Sequence, residues 1–180
     1  MAMTLITTNT SSDAATSDFT SSIDSTYKLY VFKFYDVNPA TDNVNFSFQV
    51  NASDDVGGDF DESYITSTFF QAYHDEADTA TSLGYKTAND QAQGTAFQVL
   101  AQGVGNGSDE CCAGELFLFN PASTTYVKHF YSRFGVYEQS DYKDDDFAAG
   151  YINNTLALSE ISFKFASGNM DGVISMYGVG

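Results

Sequence analysis

The chain has 180 residues with 43 % hydrophobic content, enough for one domain with a sizeable core and too apolar for global disorder. Seven Lys and Arg against 24 Asp and Glu give a formal charge of −17, which opposes direct contact with nucleic acid and with anionic membranes. Sixteen Phe and 12 Tyr, no Trp and only two Pro favour long uninterrupted strands.

From Thr4 to Thr26 more than half of the residues are Ser or Thr, with Leu5, Ile6, Phe19 and Ile23 as apolar anchors. This composition predicts an extended arm over 1–22 with a short strand at Leu5 to Thr8, leading into a domain over 23–180. Such an arm is suited to reach a neighbouring subunit. Tyr27 to Val37 carries apolar residues on both faces, the pattern of a strand covered on two sides. Val44, Phe46, Phe48 and Val50 alternate with Asn45, Ser47 and Gln49, a half-buried strand. The turn residues between Asn38 and Asn43 predict that these two strands form a hairpin.

Asn51 to Glu62 reads as an acidic loop containing Gly57 and Gly58. Tyr64 to Tyr73 fits a strand running into a loop, and His74 to Asn89 an exposed excursion. Strand signals return at Phe97 to Gln102 and at Gly114 to Phe119, the latter stopped by Asn120 and Pro121. Thr124 to Tyr137 is a strand whose broken alternation predicts a bulge. An acidic loop over Ser140 to Asp146 then precedes a strand over Phe147 to Leu158. Ile161, Phe163 and Phe165 alternate with polar residues. Gly168, Asn169 and Gly172 supply turn chemistry, and Val173 to Val179 closes the chain as a second strand of a final hairpin. The expectation is an all-β, single-domain, jelly-roll-like β-sandwich of about nine strands, with N- and C-terminal strands tied into the sheets.

Two acidic clusters are the candidates for a site. Asp54, Asp55, Asp59 and Asp61, with Glu62, form one; Asp141, Asp144, Asp145 and Asp146 form the other. Calcium takes six to eight oxygens and is often held by loops between strands, so Asp54, Asp55, Asp59 and Asp61 are candidate calcium ligands. The competing reading is a solvated charged loop, which is the commoner one, and the register of the helix-loop-helix calcium motif is missing. No other cofactor is expected. The two histidines, His74 and His129, have no second histidine near them in sequence. No Gly-x-Ser-x-Gly elbow or Cys/His pattern singles out a nucleophile, so no enzyme activity is expected. Cys111 and Cys112 are adjacent and read as two reduced thiols beside a strand. No apolar run reaches membrane-spanning length, and Met1 to Thr7 lacks the basic start of a secretion signal.

The opening Leu5 to Thr8, the block Ile23 to Phe34, the block Phe119 to Tyr126 and the ending Ile161 to Val179 occur in a fixed order. Together they resemble a family of small virion proteins of marine tailed phages, of cyanophage and pelagiphage type. Gly180 extends one residue past the ending typical of that pattern. The resemblance implies a β-sandwich structural protein of the virion, with other capsid or tail proteins as partners and a homo-oligomer as the usual state. A decoration or cement protein on the outer capsid surface is the leading expectation. The alternative is a tail or fibre adhesin that contacts a host-surface glycan through the loops near Asn51 and Gly103, where tyrosine rings stack on sugars and amides read hydroxyls.

Overall fold

The computed structural model describes residues 2–52, 60 and 63–180. Among them are thirteen strands, all paired antiparallel, and no helix. The backbone of the architecture is a jelly roll made of eight strands. One four-stranded sheet contains β1 (Met3–Ala14), β13 (Met170–Val179), β3 (Leu29–Pro39) and β9 (Cys112–Phe119), side by side in that order. The facing sheet contains β2 (Ser17–Phe19), β12 (Leu158–Phe165), β4 (Val44–Ala52) and β8 (Gln98–Val104). Successive members of the eight alternate between the layers, except where β4 gives way to its neighbour β8. This is the two-Greek-key winding of a jelly roll.

The remaining strands are two insertions that widen the first sheet beyond β9. One follows β4 and contains β5 (Ile65–Asp75), β6 (Thr81–Tyr85) and β7 (Ala92–Gly94); the other follows β9 and contains β10 (Lys128–Glu138) and β11 (Tyr142–Ile152). The widened sheet runs β9, β10, β11, β5, with β6 and β7 on the far side of β5. A single bridge between Glu138 and Val104 joins β10 to β8, so the two layers form one sheet folded over itself and nearly closed.

Two expected hairpins are not formed. β3 pairs with β13 and β9, whereas β4 pairs with β12 and β8. β12 and β13 likewise lie in opposite layers, so the ending is a crossover between sheets. The turn falls at Gly168, which has φ +76 and where a side chain would also collide with Thr41, whereas Gly172, read as part of it, lies within β13 at a register shift. Such a turn permits an arch between layers as readily as a hairpin within one.

The expected count of about nine strands falls short because β2, β6 and β7 have only three to five residues, too few to display a period. Within the segment read as an arm, Met3–Ala14 forms β1 and runs along the whole of β13, from Met3 opposite Val179 to Ala14 opposite Met170. Phe19 on β2 is inside the core. The bulge expected within Thr124 to Tyr137 is missing, since β10 keeps unbroken register with β11 from Lys128 to Glu138. The apolar alternation is broken instead by Lys128 and Ser132, polar residues that occupy inward positions of β10 and are buried.

The jelly-roll half of the interior is aromatic. Phe163 of β12 has ring contacts with Phe19, Phe32, Phe34, Phe46 and Phe48, at centroid distances from 5.0 to 6.5 Å. Phe34 of β3 meets Phe46 of β4 across the layers, and Phe48 meets Phe130 of β10. Each such ring removed from water contributes roughly 1.5–3 kcal/mol, which makes this cluster the main source of cohesion. Tyr27 lies over Gly178, where no side chain would fit.

Under the inserted strands the interior is polar. Gln49 Nε2 donates to Ser63 O (3.0 Å) and Thr95 O (2.9 Å). Gln98 Nε2 donates to Asn89 O (2.9 Å), and Ser67 Oγ donates to Gln98 Oε1 (2.5 Å). Gln71 Nε2 donates to Asp144 Oδ2 (2.8 Å), and Gln102 N to Asp146 Oδ2 (2.7 Å). Buried amides are retained at low cost only when paired in this way.

Candidate functional site

Two features stand out: the outer face of the widened sheet and the buried carboxylates beneath it. On β9 the outward residues are Glu115, Phe117 and Phe119, and on β10 they are His129, Tyr131 and Arg133. Strand pairing aligns Leu5, Tyr177, Val31, Phe117 and Tyr131 in one row across five strands. A parallel row holds Met3, Val179, Leu29 and Phe119. The rings of Phe117 and Tyr131 stack at 4.5 Å, and Phe119 lies 5.7 Å from Tyr131. Farther along the sheet Phe70 and Phe147 stack at 4.6 Å, with the Arg133 guanidinium 5.1 Å above Phe147.

Met3, Leu5, Phe70 and Tyr131 are each more than 40 % exposed on this face. Contiguous apolar area of this kind on a folded protein usually marks a contact surface. Its charges are largely neutralised. Lys33 pairs with Glu115 at 3.1 Å, and Arg133 forms a two-bonded pair with Asp145 at 3.0 and 2.7 Å. The Arg133 hydrogen bonds hold the Asp145 carboxyl below its usual range. Lys143 also projects outward, so three of the seven Lys and Arg lie on this one face of an acidic molecule.

The second acidic cluster is not a loop. Asp144, Asp145 and Asp146 belong to β11, which alternates: Asp145 points out to Arg133, while Asp144 and Asp146 point in. Asp141 sits in the turn before it, at φ +60. Asp146 is fully buried, and burial, opposed by the Gln102 N–H and reinforced by the charge of Asp144, pushes its carboxyl up to about 7. Asp144 is raised to about 6 by burial and by the charge of Glu138. One oxygen of each meets no protein donor. The sequence marks both as site candidates but reads them as part of an acidic loop, because a run of aspartates is equated with solvent.

The candidate calcium ligands Asp54, Asp55, Asp59 and Asp61 lie outside the described residues, as does Glu62. Among the described residues, no group of three or more His, Cys, Asp or Glu is disposed to hold a metal ion. His74 Nε2 is 3.3 Å from Asp78 Oδ1, with both side chains largely in solvent. His129 meets the Tyr151 ring on the outer face. Cys111 and Cys112 are free thiols; Cys112 is buried, which pushes its thiol well up. The sugar-reading loop expected near Asn51 lies largely outside the described residues; Asn51 itself is at the end of β4, buried, and donates to Glu160 Oε2 at 3.1 Å. Gly103 is buried as well. Sequence also gave no hint of Lys128, whose fully buried side chain donates to Asn154 O (2.8 Å) and Leu156 O and so ties the loop before β12 to β10. No known protein family matches this chain, and no curated protein is significantly similar to it.

Proposed function

We propose that this chain is a non-enzymatic structural protein of a phage virion, a decoration or cement subunit on the outside of the capsid. The aromatic sheet face docks on the shell, and the acidic remainder faces solvent. The observation that carries this reading is the near-neutral row of Leu5, Tyr177, Phe117 and Tyr131 on a molecule of charge −17. Apolar contact with a protein shell gains most where the docking face is spared the self-repulsion of the rest. Two further supports are the likeness of the ordered sequence blocks to phage virion proteins and the jelly-roll winding. The latter recurs in viral capsid and lectin domains and counts only as an analogy of fold.

The test is to label the protein on intact particles, count its copies, and measure rebinding of the purified protein to particles stripped of it. Copies in the hundreds over the capsid surface support the reading. The double substitution Phe117→Ser, Tyr131→Ser is expected to abolish rebinding while changing the melting temperature little, since Tyr131 is already 44 % exposed. A handful of copies at the tail tip, with binding to a host glycan, would replace it with the adhesin alternative. Turnover of a glycan by the purified protein would end the non-enzymatic reading.

A further inference from the structure

Where β5, β11 and the end of β10 meet, a cavity of about 180 Å³ is lined by Gln71, Tyr73, Gln102, Glu138, Tyr142 and Asp144. We propose that this cavity binds a guanidinium group, presented as an arginine side chain by a partner protein. Asp144 lines it while only 4 % exposed. Its Oδ2 accepts from Gln71 Nε2 at 2.8 Å, and its Oδ1 has no protein donor. A buried carboxylate oxygen in that state is costly until a donor arrives.

The other walls specify which donor. Tyr73 and Tyr142 meet edge to face, with centroids 5.4 Å apart and planes at 79°, and so give two walls of an aromatic corner. Glu138, which accepts from Ser140 N at 3.0 Å, adds a second negative charge at the rim. A planar guanidinium brings five N–H donors, bonds a carboxylate through two of them, and stacks on a tyrosine face. A compact ammonium uses the rings less well. Calcium requires six to eight oxygens, and two carboxylates with amide oxygens fall short of a dedicated cage.

The charges of Lys143 and Lys86 already offset part of the burial of Asp144, but neither donates to its Oδ1. Lys86 Nζ stands 5.8 Å from the Tyr73 ring centroid, and Lys143 Nζ donates to the backbone oxygen of Asp144. Asp146, behind Asp144 on the same strand, adds to the local negative potential once ionised. With Asp144 raised to about 6, its carboxyl is charged at pH 8, where the measurement belongs.

Tyr142 and Asp144 of β11 and Gln71 and Tyr73 of β5 point away from the aromatic rows. The arginine therefore comes from a partner other than the docked shell, and the inference does not rest on the docking reading. The experiment titrates the isolated protein at pH 8 with N-acetyl-arginine amide, following NMR shifts or heat. Saturable binding in the millimolar range is expected, weakened about tenfold or more by Asp144→Asn, an isosteric change, and severalfold by Glu138→Gln. The lysine counterpart is expected to bind severalfold more weakly. Absence of saturable binding, or binding insensitive to both substitutions, overturns the proposal. So does a calcium response that Asp144→Asn abolishes while the arginine derivative gives none. Free arginine binding at least tenfold more tightly than the blocked form would identify a metabolite and overturn the partner source. Loss of particle binding with intact binding of the arginine derivative would sink the virion reading alone.

Discussion

The buried pair Asp144 and Asp146 sets the behaviour of this protein toward pH. Both carboxyls are raised in the folded state, to about 6 and about 7, from an unfolded value near 3.8. Between about pH 4 and pH 7 the folded chain therefore binds more protons than the unfolded one, and stability falls as pH rises through that window. The loss is complete above about 7. Asp146 is the more deeply enclosed and dominates, with a cost on the order of 2–4 kcal/mol at neutral pH from ~1.4 kcal/mol per unit. Asp146→Asn is expected to raise the melting temperature by roughly 4–16 °C at pH 8, by well under half of that at pH 5, and hardly at all below about pH 4. Asp109→Asn, at an exposed position, removes the same unit of net charge and serves as the control. An equal rise in both variants would show that general self-repulsion, not burial, sets the trend.

At the scale of elements, β1 carries a sharper expectation than its composition suggested. It pairs with β13 at nine positions, Ile6 packs against the core, and Asp13 N donates to Asp171 Oδ1 at 2.7 Å. Removing residues 1–14 is therefore expected to lower the melting temperature of the monomer, and to promote association through the bared edge of β13. A truncated chain that melts like the parent and stays monomeric would make β1 a dispensable arm after all.

The same strand shows what was legible in the sequence. The presence of strands could be read wherever alternation ran for six or more residues, as in β3, β4, β12 and β13. Their partners could not be read. Period-two burial of Phe46, Phe48 and Val50 is the same whether the neighbouring strand in sequence is bonded beside β4 or stacked across the core from it. Of Ser/Thr-rich β1 only Leu5 to Thr8 could be read as strand, because an edge strand with little buried surface has no need of apolar alternation. For the site, the aromatic rows were visible only as an excess of Phe and Tyr. Their alignment depends on register between strands far apart in the chain, such as Leu5 with Tyr177.

At the scale of the whole molecule, the two ends of the sandwich differ in what holds them. One end is a cluster of interlocking phenylalanines; the other is a lattice of glutamine and asparagine amides around two uneasy acids. Oil-like cohesion resists opening by water, whereas an amide lattice can exchange its partners for water one bond at a time. Backbone amides of β5, β6 and β11 are thus expected to exchange hydrogen for deuterium well before those of β3, β4 and β13, and uniform exchange would contradict this. The molecule should come apart like a zip with one welded end. Raising the pH through 6 and 7, by charging the acids, should start it from the inserted strands while the jelly roll stays shut. A surface built on that jelly roll, as the rows through β13, β3 and β9 are, would keep its shape long after the far end had begun to breathe.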